Sequence, residues 1–389
     1  MDKIFDNTQN AFALKSDTEL DRAYFLFKMI SIQPLVRIGT AVTNFALNAN
    51  LPVEGLIRAT VFDHFCGGIS EDDCIPVVDK MYTKGVSSVL DYSVEGKEDE
   101  THFDDAMNMT LKIIDFAKEK KAIPFAVFKP TGFGRFELYE KLGAGQTLTN
   151  IEQEEWNRVE ERFEKVCQKA FENNISLLID GEESWMQDAA DELVARMMQK
   201  YNKQKAIVYN TLQMYRWDRL DYLKKLHEKA ETEGFYIGMK LVRGAYMEKE
   251  NKRAEEKSYK SPICESKQAT DDNFDAAVSY MINNIDKMAI FAGTHNELSS
   301  YTLMAKMLEK NISKNDSRLW FGQLYGMSDN ISYNLANESY NVAKYLPFGP
   351  VKDVMPYLIR RAEENTSVAG QTSRELLLIK TERNRRKTK

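Results

Sequence analysis

Long apolar runs are what this chain most clearly lacks. No stretch of its 389 residues approaches the roughly 18 to 20 apolar residues that a membrane-spanning helix needs, and the clearest candidates are short pieces such as ISLLI. A spanning membrane protein is therefore not expected. Cysteine and histidine are scarce, with four of each. Cys66, Cys74, Cys167 and Cys264 are scattered without paired metal-ligand spacing, and His64 with Cys66 is the nearest approach to a ligand pair, so no metal site is expected. Reduced thiols follow as the default. Positive charge is not in excess either: the formal net charge is -6, which argues against a nucleic-acid partner held by phosphate neutralisation. The first twenty residues, MDKIFDNTQNAFALKSDTEL, carry early acids and lack both an apolar signal core and an arginine-rich amphipathic stretch. Neither secretion nor organelle import is expected, and a cytoplasmic location is.

What is present is enough apolar material, 43%, for a large buried core. From residue 17 to about 82 the pattern is helical, with Leu20, Tyr24, Phe27, Phe45, Leu56 and Ile57 at three- and four-residue spacing. Beyond it the rhythm changes to eight short β-branched or aromatic runs separated by longer amphipathic stretches. These are VSSVLDY, PFAVFKP, ISLLID, AIVYNTLQ, YIGMKLVR, MAIFAGTH, RLWFGQL and AKYLPFG. Alternation of this kind predicts a (β/α)8 barrel of the TIM type preceded by a helical arm. An open doubly wound sheet is the competing fold, but no G-x-G-x-x-G follows any of the runs. The stretch LTNIEQEEWNRVEERFEKVCQKAFENN, capped by Thr149 or Asn150, reads as one outer helix. The basic end, from Lys380 to Lys389, is short enough to be a frayed, solvated tail.

In a barrel the chemistry sits at the C-terminal mouths of the strands. Polar residues end these runs in an orderly way: Lys129, Asp180, Gln213, Lys240 with Arg243, then Thr294, His295 and Asn296, then Gln323, then Tyr345. Singly, each has an ordinary alternative: a solvated lysine, a helix cap, a satisfied core histidine. Together they point to a shared polar pocket, because burying so many without partners costs about 1 kcal/mol or more apiece. The pocket is rich in cations and has Asp180 as its one strand-end carboxylate, which suits an anionic ligand. A close carboxylate pair for glycoside hydrolysis is missing, and no serine or cysteine stands beside a histidine for hydrolase chemistry.

The stretch YLPFGPVKDVMPYLIRRAEEN, from Tyr345 to Asn365, adds paired arginines to the final helix. Arg360 and Arg361 stand four and three residues before Glu364, ordinary surface ion-pair spacing. Arginine is also the side chain best suited to a two-point grip on a carboxylate. A phosphate-handling barrel with Lys129 or Lys240 as a Schiff-base lysine and a barrel serving only as a binding scaffold both remain open at this level.

Several of these segments resemble the FAD-dependent proline dehydrogenases, in order from about residue 84 to 370: KLVRGAY, GTHNE, FGQLYGM, KYLPFGPV and YLIRRAEEN. The wording is closer to the stand-alone mitochondrial-type enzymes than to the barrel of the bifunctional bacterial proline utilisation proteins. The resemblance implies a distorted (β/α)8 barrel over residues 84–375, an arm over 1–83 and a basic tail over 376–389. It implies oxidation of L-proline to Δ1-pyrroline-5-carboxylate with FAD, electrons passing to a membrane quinone, and peripheral contact with the inner face of the membrane. Matched position by position, Arg360 and Arg361 correspond to the carboxylate clamp, Lys129 completes its charged cradle, and Tyr345, Leu324 and Tyr357 wall the ring. Asp180, Gln213, Lys240, Val242, Arg243, Gly244, Ala245, Thr294, His295, Asn296 and Glu364 match positions at the flavin, Glu364 also bracing an arginine. Lys240 stands where many bacterial members carry arginine, which places a point charge rather than a fork beside the flavin. Hydroxyproline is the alternative substrate, and Tyr345 is expected to disfavour it because a 4-hydroxyl would project toward that wall.

Overall fold

The computed structural model describes residues 3–32, 53–94, 98–367 and 371–388 and a few positions between 34 and 43, apart from the side chains at 56, 59, 362–367 and 371. The helical expectation at Phe45 and the side chains of Leu56 and Glu364 fall outside the described residues. Each of the eight apolar runs forms a strand: β1 (Val86–Tyr92), β2 (Phe125–Phe128), β3 (Ser176–Ile179), β4 (Val208–Gln213), β5 (Ile237–Val242), β6 (Met288–Gly293), β7 (Leu319–Leu324) and β8 (Val342–Phe348). They close into a barrel in sequence order. The expected (β/α)8 barrel is therefore present. Its strands read as nearly unbroken apolar runs because parallel strands under helices are buried on both faces, as in β8, where every residue is buried.

Among the described residues the helices of eight or more residues are α1 (Asp17–Ile30), α2 (Glu71–Tyr82), α3 (Glu100–Glu119), α4 (Phe136–Gly143), α5 (Asn150–Glu172), α6 (Ser184–Tyr201), α7 (Arg219–Glu233), α8 (Met247–Lys257), α9 (Lys267–Asn283), α10 (Glu297–Glu309), α11 (Asp329–Asn337), α12 (Val351–Ser367) and α13 (Gln371–Lys387). Their starts are written locally. Ser16, Ser70 and Thr149 open α1, α2 and α5 with reciprocal capping boxes to Glu19, Asp73 and Glu152, each satisfying donors that a helix start would otherwise leave unpaired. Thr149, rather than Asn150, is the cap of α5.

Packing divides the chain into two compact units, residues 97–322 and residues 1–96 with 323–389. In the first, the strands from β2 to β7 pair in parallel, with Thr211 beside Lys240 and Gln213 beside Val242 in the β4–β5 register. Phe125 of β2 meets Tyr209 of β4 and Phe291 of β6 edge-on, at 5.9 and 5.2 Å between ring centres. This is the layered filling by alternate strands that makes such a barrel a packed core. Gly322 of β7 is required by it, since a Cβ there would stand 2.1 Å from the Phe291 ring.

In the second unit β1 and β8 pair in parallel, with Ser88 beside Lys344 and Val89 beside Tyr345. The face of α12 carrying Val351, Val354, Met355 and Leu358 is buried with Phe62, Phe65 and Met327. Helix α13 packs Leu378 and Ile379 against Phe12, Leu20 and Phe27 of the arm. The end of the chain is thus a helix to Lys387 and not a frayed tail. Its basic side chains find acids on the arm: Arg374 pairs with Asp6, Arg383 with Asp21 and Arg386 with Asp17. The sequence separation of these pairs is what hid them. Among the described residues no helix is long and apolar enough to cross a membrane.

Candidate active site

In the unit of residues 97–322 the polar strand-end residues form connected groups. Lys129 follows β2 directly and is half-buried, and Asp180 follows β3 with its N–H donating to the Phe128 carbonyl at 3.0 Å. Lys240 of β5, 6% exposed, reaches across and donates to the Asp180 carboxylate. A lysine this buried is tolerated because the carboxylate takes its charge. The cationic excess expected at this mouth is accordingly smaller than a count of cations implies.

Arg243 is held in the same way. Its Nε donates to Asp271 at 2.6 Å, and its terminal nitrogens donate to Thr294 Oγ1 at 2.7 Å and to Ser299 Oγ at 2.9 Å. The guanidinium lies 4.7 Å from the centre of the Phe274 ring. Three partners and a ring fix the fork before any ligand arrives, which lowers the ordering cost of binding. Asn296 caps α10, its carbonyl oxygen accepting from Leu298 and Ser299 N–H at 2.8 and 3.2 Å, so contact with a ligand falls to its amide nitrogen. Gly244 and Ala245 are exposed at the start of the β5–α8 connection, and Gly244 has φ of 130°. His295 is half-buried, between the buried Thr294 and the half-buried Asn296.

Gln213 is wholly internal. Its amide donates to the Glu182 carbonyl at 2.6 Å and its oxygen accepts from Ala245 N–H at 3.4 Å, joining the loops that follow β3 and β5. Val242, its register partner, ends β5 beside it. Sequence reasoning missed Glu182, two residues beyond Asp180. It is 5% exposed, and it accepts from Thr131 N–H at 2.9 Å and Thr131 Oγ1 at 2.6 Å. Burial pushes its carboxyl up to about 7, against the pull of the Thr131 bonds and the Lys129 charge. It anchors the turn that follows Lys129. The DGEE run was the available signal, but nothing in the letters separates the buried glutamate from a solvated one.

In the other unit, Tyr345 of β8 is 7% exposed and its carbonyl accepts from Tyr325 N–H at 2.8 Å. Leu324, at the end of β7, is half-buried. On α12, Tyr357 is buried while Arg360 and Arg361 are half-buried, and the Arg361 guanidinium lies 5.3 Å from the centre of the Tyr357 ring. A stack of this kind keeps an arginine oriented while leaving its edge for an anion. The expected brace, Glu364, has its side chain outside the described residues. Gln323 is used by the fold instead: Ser332 Oγ of α11 donates to its side-chain oxygen at 2.8 Å.

Comparison with known proteins bears on these groups. Residues 74–374 match the family described as proline dehydrogenase. The carbapenem antibiotics biosynthesis protein CarD of Pectobacterium carotovorum subsp. carotovorum is 35% identical over 335 residues, covering 86% of each chain. Mitochondrial proline dehydrogenase 1 of Arabidopsis thaliana is 31% identical over 416 residues, covering 95% of this chain and 83% of the relative. Among solved structures, proline utilization A of Bdellovibrio bacteriovorus, inactivated by N-propargylglycine, superposes with a TM-score of 0.72 at 21% identity. That likeness covers 95% of this chain and 39% of the other, and it speaks to the fold alone. The resemblance met first in short motifs thus extends over most of the molecule, and the chain belongs to the proline dehydrogenase family.

Proposed function

We propose that the chain oxidises L-proline to Δ1-pyrroline-5-carboxylate with bound FAD, as a stand-alone enzyme of proline breakdown that passes its electrons to a membrane quinone. The observation that carries this reading is family membership over residues 74–374. The donor set fits the cofactor: a lysine paired with a carboxylate, an arginine held by three partners, a capping asparagine and an exposed Gly-Ala step are suited to an anionic dinucleotide. In this reading Asp180, Gln213, Lys240, Val242, Arg243, Gly244, Ala245, Thr294, His295, Asn296 and Glu364 hold FAD. When bound, FAD supplies the acceptor for the hydride equivalent that leaves the ring carbon beside nitrogen.

The remaining work belongs to the chain. Arg360 and Arg361 grip the proline carboxylate, Lys129 adds charge to the same anion, and Tyr345, Leu324 and Tyr357 limit how the ring can turn. Fixing one end of a small rigid substrate presents the opposite carbon in one orientation, and orientation of this kind lowers a barrier by several kcal/mol. Nearby cations favour the neutral amine over the ammonium, and only the neutral amine has a lone pair to support loss of hydride.

Turnover with L-proline and with trans-4-hydroxy-L-proline, using a soluble quinone as acceptor, tests the reading. A higher kcat/KM for proline is expected, because a 4-hydroxyl would meet the buried Tyr345. A preference for hydroxyproline overturns the substrate assignment, and turnover of neither overturns the activity.

A further inference from the structure

Lys344 and Tyr345 are neighbours on β8, so their side chains leave opposite faces of the strand. The resemblance gives Tyr345 a place at the ring, and it gives no role to Lys344, which opens the same KYLPFGPV segment. Lys344 is 0% exposed, a costly place for an ammonium unless the fold uses its three donors. They converge on one short loop. Nζ donates to the Met327 carbonyl at 2.6 Å and the Leu324 carbonyl at 3.4 Å, and it pairs with the Asp329 carboxylate at 2.9 Å.

That loop, from Leu324 to Asp329, runs from the end of β7 to the first residue of α11, and it is a demanding piece of backbone. Gly326 has φ of 77° and would place a Cβ 2.3 Å from the His64 carbonyl, and Ser328 has φ of 49°. Loops of this kind keep one shape only when their surroundings over-determine it. Here they do. Tyr325 N–H donates to the Tyr345 carbonyl at 2.8 Å, and the Gly326 carbonyl accepts from His64 Nε2 at 3.1 Å. Burial lowers the His64 pKa to about 3, so the ring meets that carbonyl as a neutral donor.

Both ends of the chain reach the same loop. Lys15, in the arm, pairs with the second oxygen of Asp329 at 3.3 Å, and Glu375 of α13 accepts from Ser328 N–H. Asp329 is thus shared between a lysine of the barrel and a lysine of the arm.

We propose that Lys344 is a positioning residue for substrate: through Asp329 and the Leu324 and Met327 carbonyls it fixes the loop that carries Leu324, and Lys15 and Glu375 extend that fixation to the two terminal segments. The arm and α13 then have a role in substrate binding although the clamp arginines lie on α12, before α13. The inference rests on the reading of this site as a proline site, with Leu324 at the ring.

Lys344→Met keeps the length of the side chain and removes its donors. It is expected to raise the KM for L-proline roughly tenfold, since a small displacement of a contact residue has that scale of effect, with kcat within about twofold of the parent. Amide hydrogen exchange should quicken in peptides covering residues 323–329 and stay unaltered in peptides from 97–322. Lys15→Met should shift both readouts in the same direction by less, because Lys15 keeps 22% exposure. Should Lys344→Met fail to fold, Asp329→Asn is read in its place, with the same expectations. A folded variant whose loop exchange matches the parent overturns the proposal, and so does a loosened loop with unaltered KM. If the parent does not turn over proline, the functional reading fails by itself and loop exchange alone decides whether Lys344 fixes the loop.

Discussion

Arg361 lies half-buried on α12, its guanidinium 5.3 Å from the centre of the Tyr357 ring, and Arg360 before it is also half-buried. Solvated helix arginines would gain little from such placement, whereas arginines that grip a carboxylate gain fixed direction. Replacing Arg360 or Arg361 by alanine is expected to raise the KM for L-proline roughly ten- to hundredfold, the loss that accompanies a charge-assisted hydrogen bond. Flavin content should stay unchanged, and normal KM in both variants removes the clamp. Burial also leaves a mark on stability. Glu375 is pushed up from 4.5 to about 7 by its buried position and by the Asp329 charge. The folded state therefore holds that proton more tightly than the unfolded chain, and the associated stability is fully present below about 4.5 and lost as pH rises through about 7. Asp329 has the opposite sense. Although burial opposes ionisation, Lys344 and Lys15 hold its carboxyl at about 2 against an ordinary 3.8, so its contribution is lost only as pH falls toward 2. Glu375→Gln should flatten the decline of Tm between pH 5 and 8, measured by calorimetry in matched buffers. A slope equal to the parent's contradicts the assignment.

At the scale of elements, the terminal helix α13 is bound to the arm by side chains rather than by its propensity. Glu382, 0% exposed, accepts from Thr8 Oγ1 and pairs with Arg385 and Arg386, while Arg383 and Arg386 reach Asp21 and Asp17. Removing residues 381–389 is expected to lower Tm by about 1–3 °C, the scale for losing about one to two kcal/mol in a chain this large. An unchanged Tm would mean that the ion pairs add nothing. The strands were legible because each is a short β-branched or aromatic run bounded by polar helices, so VSSVLDY and MAIFAG could hardly be anything else. The polar residues ending them were legible for the same reason. Less visible was what those residues do to one another. The pairing of Lys240 with Asp180 joins strands 60 residues apart, and the pairing of Arg374 with Asp6 spans 368. Lys344 was hidden differently, because a lysine inside an apolar run reads as a strand edge and its burial comes from elements at both ends of the chain.

At the scale of the molecule, one barrel supplies the C-terminal strand ends from which the donors project, and family membership over residues 74–374 says which chemistry such a barrel serves. In a phosphate-handling barrel the Schiff-base lysine would have to be Lys129, because Lys240 is buried and paired with Asp180. A flavin reduced by proline separates the dehydrogenase from that alternative. The most direct measurement is the visible spectrum of the purified protein before and after anaerobic addition of L-proline. A flavin band that is bleached by proline is the predicted result, and a flavin band indifferent to proline, or a colourless protein that no added FAD restores, would contradict the account.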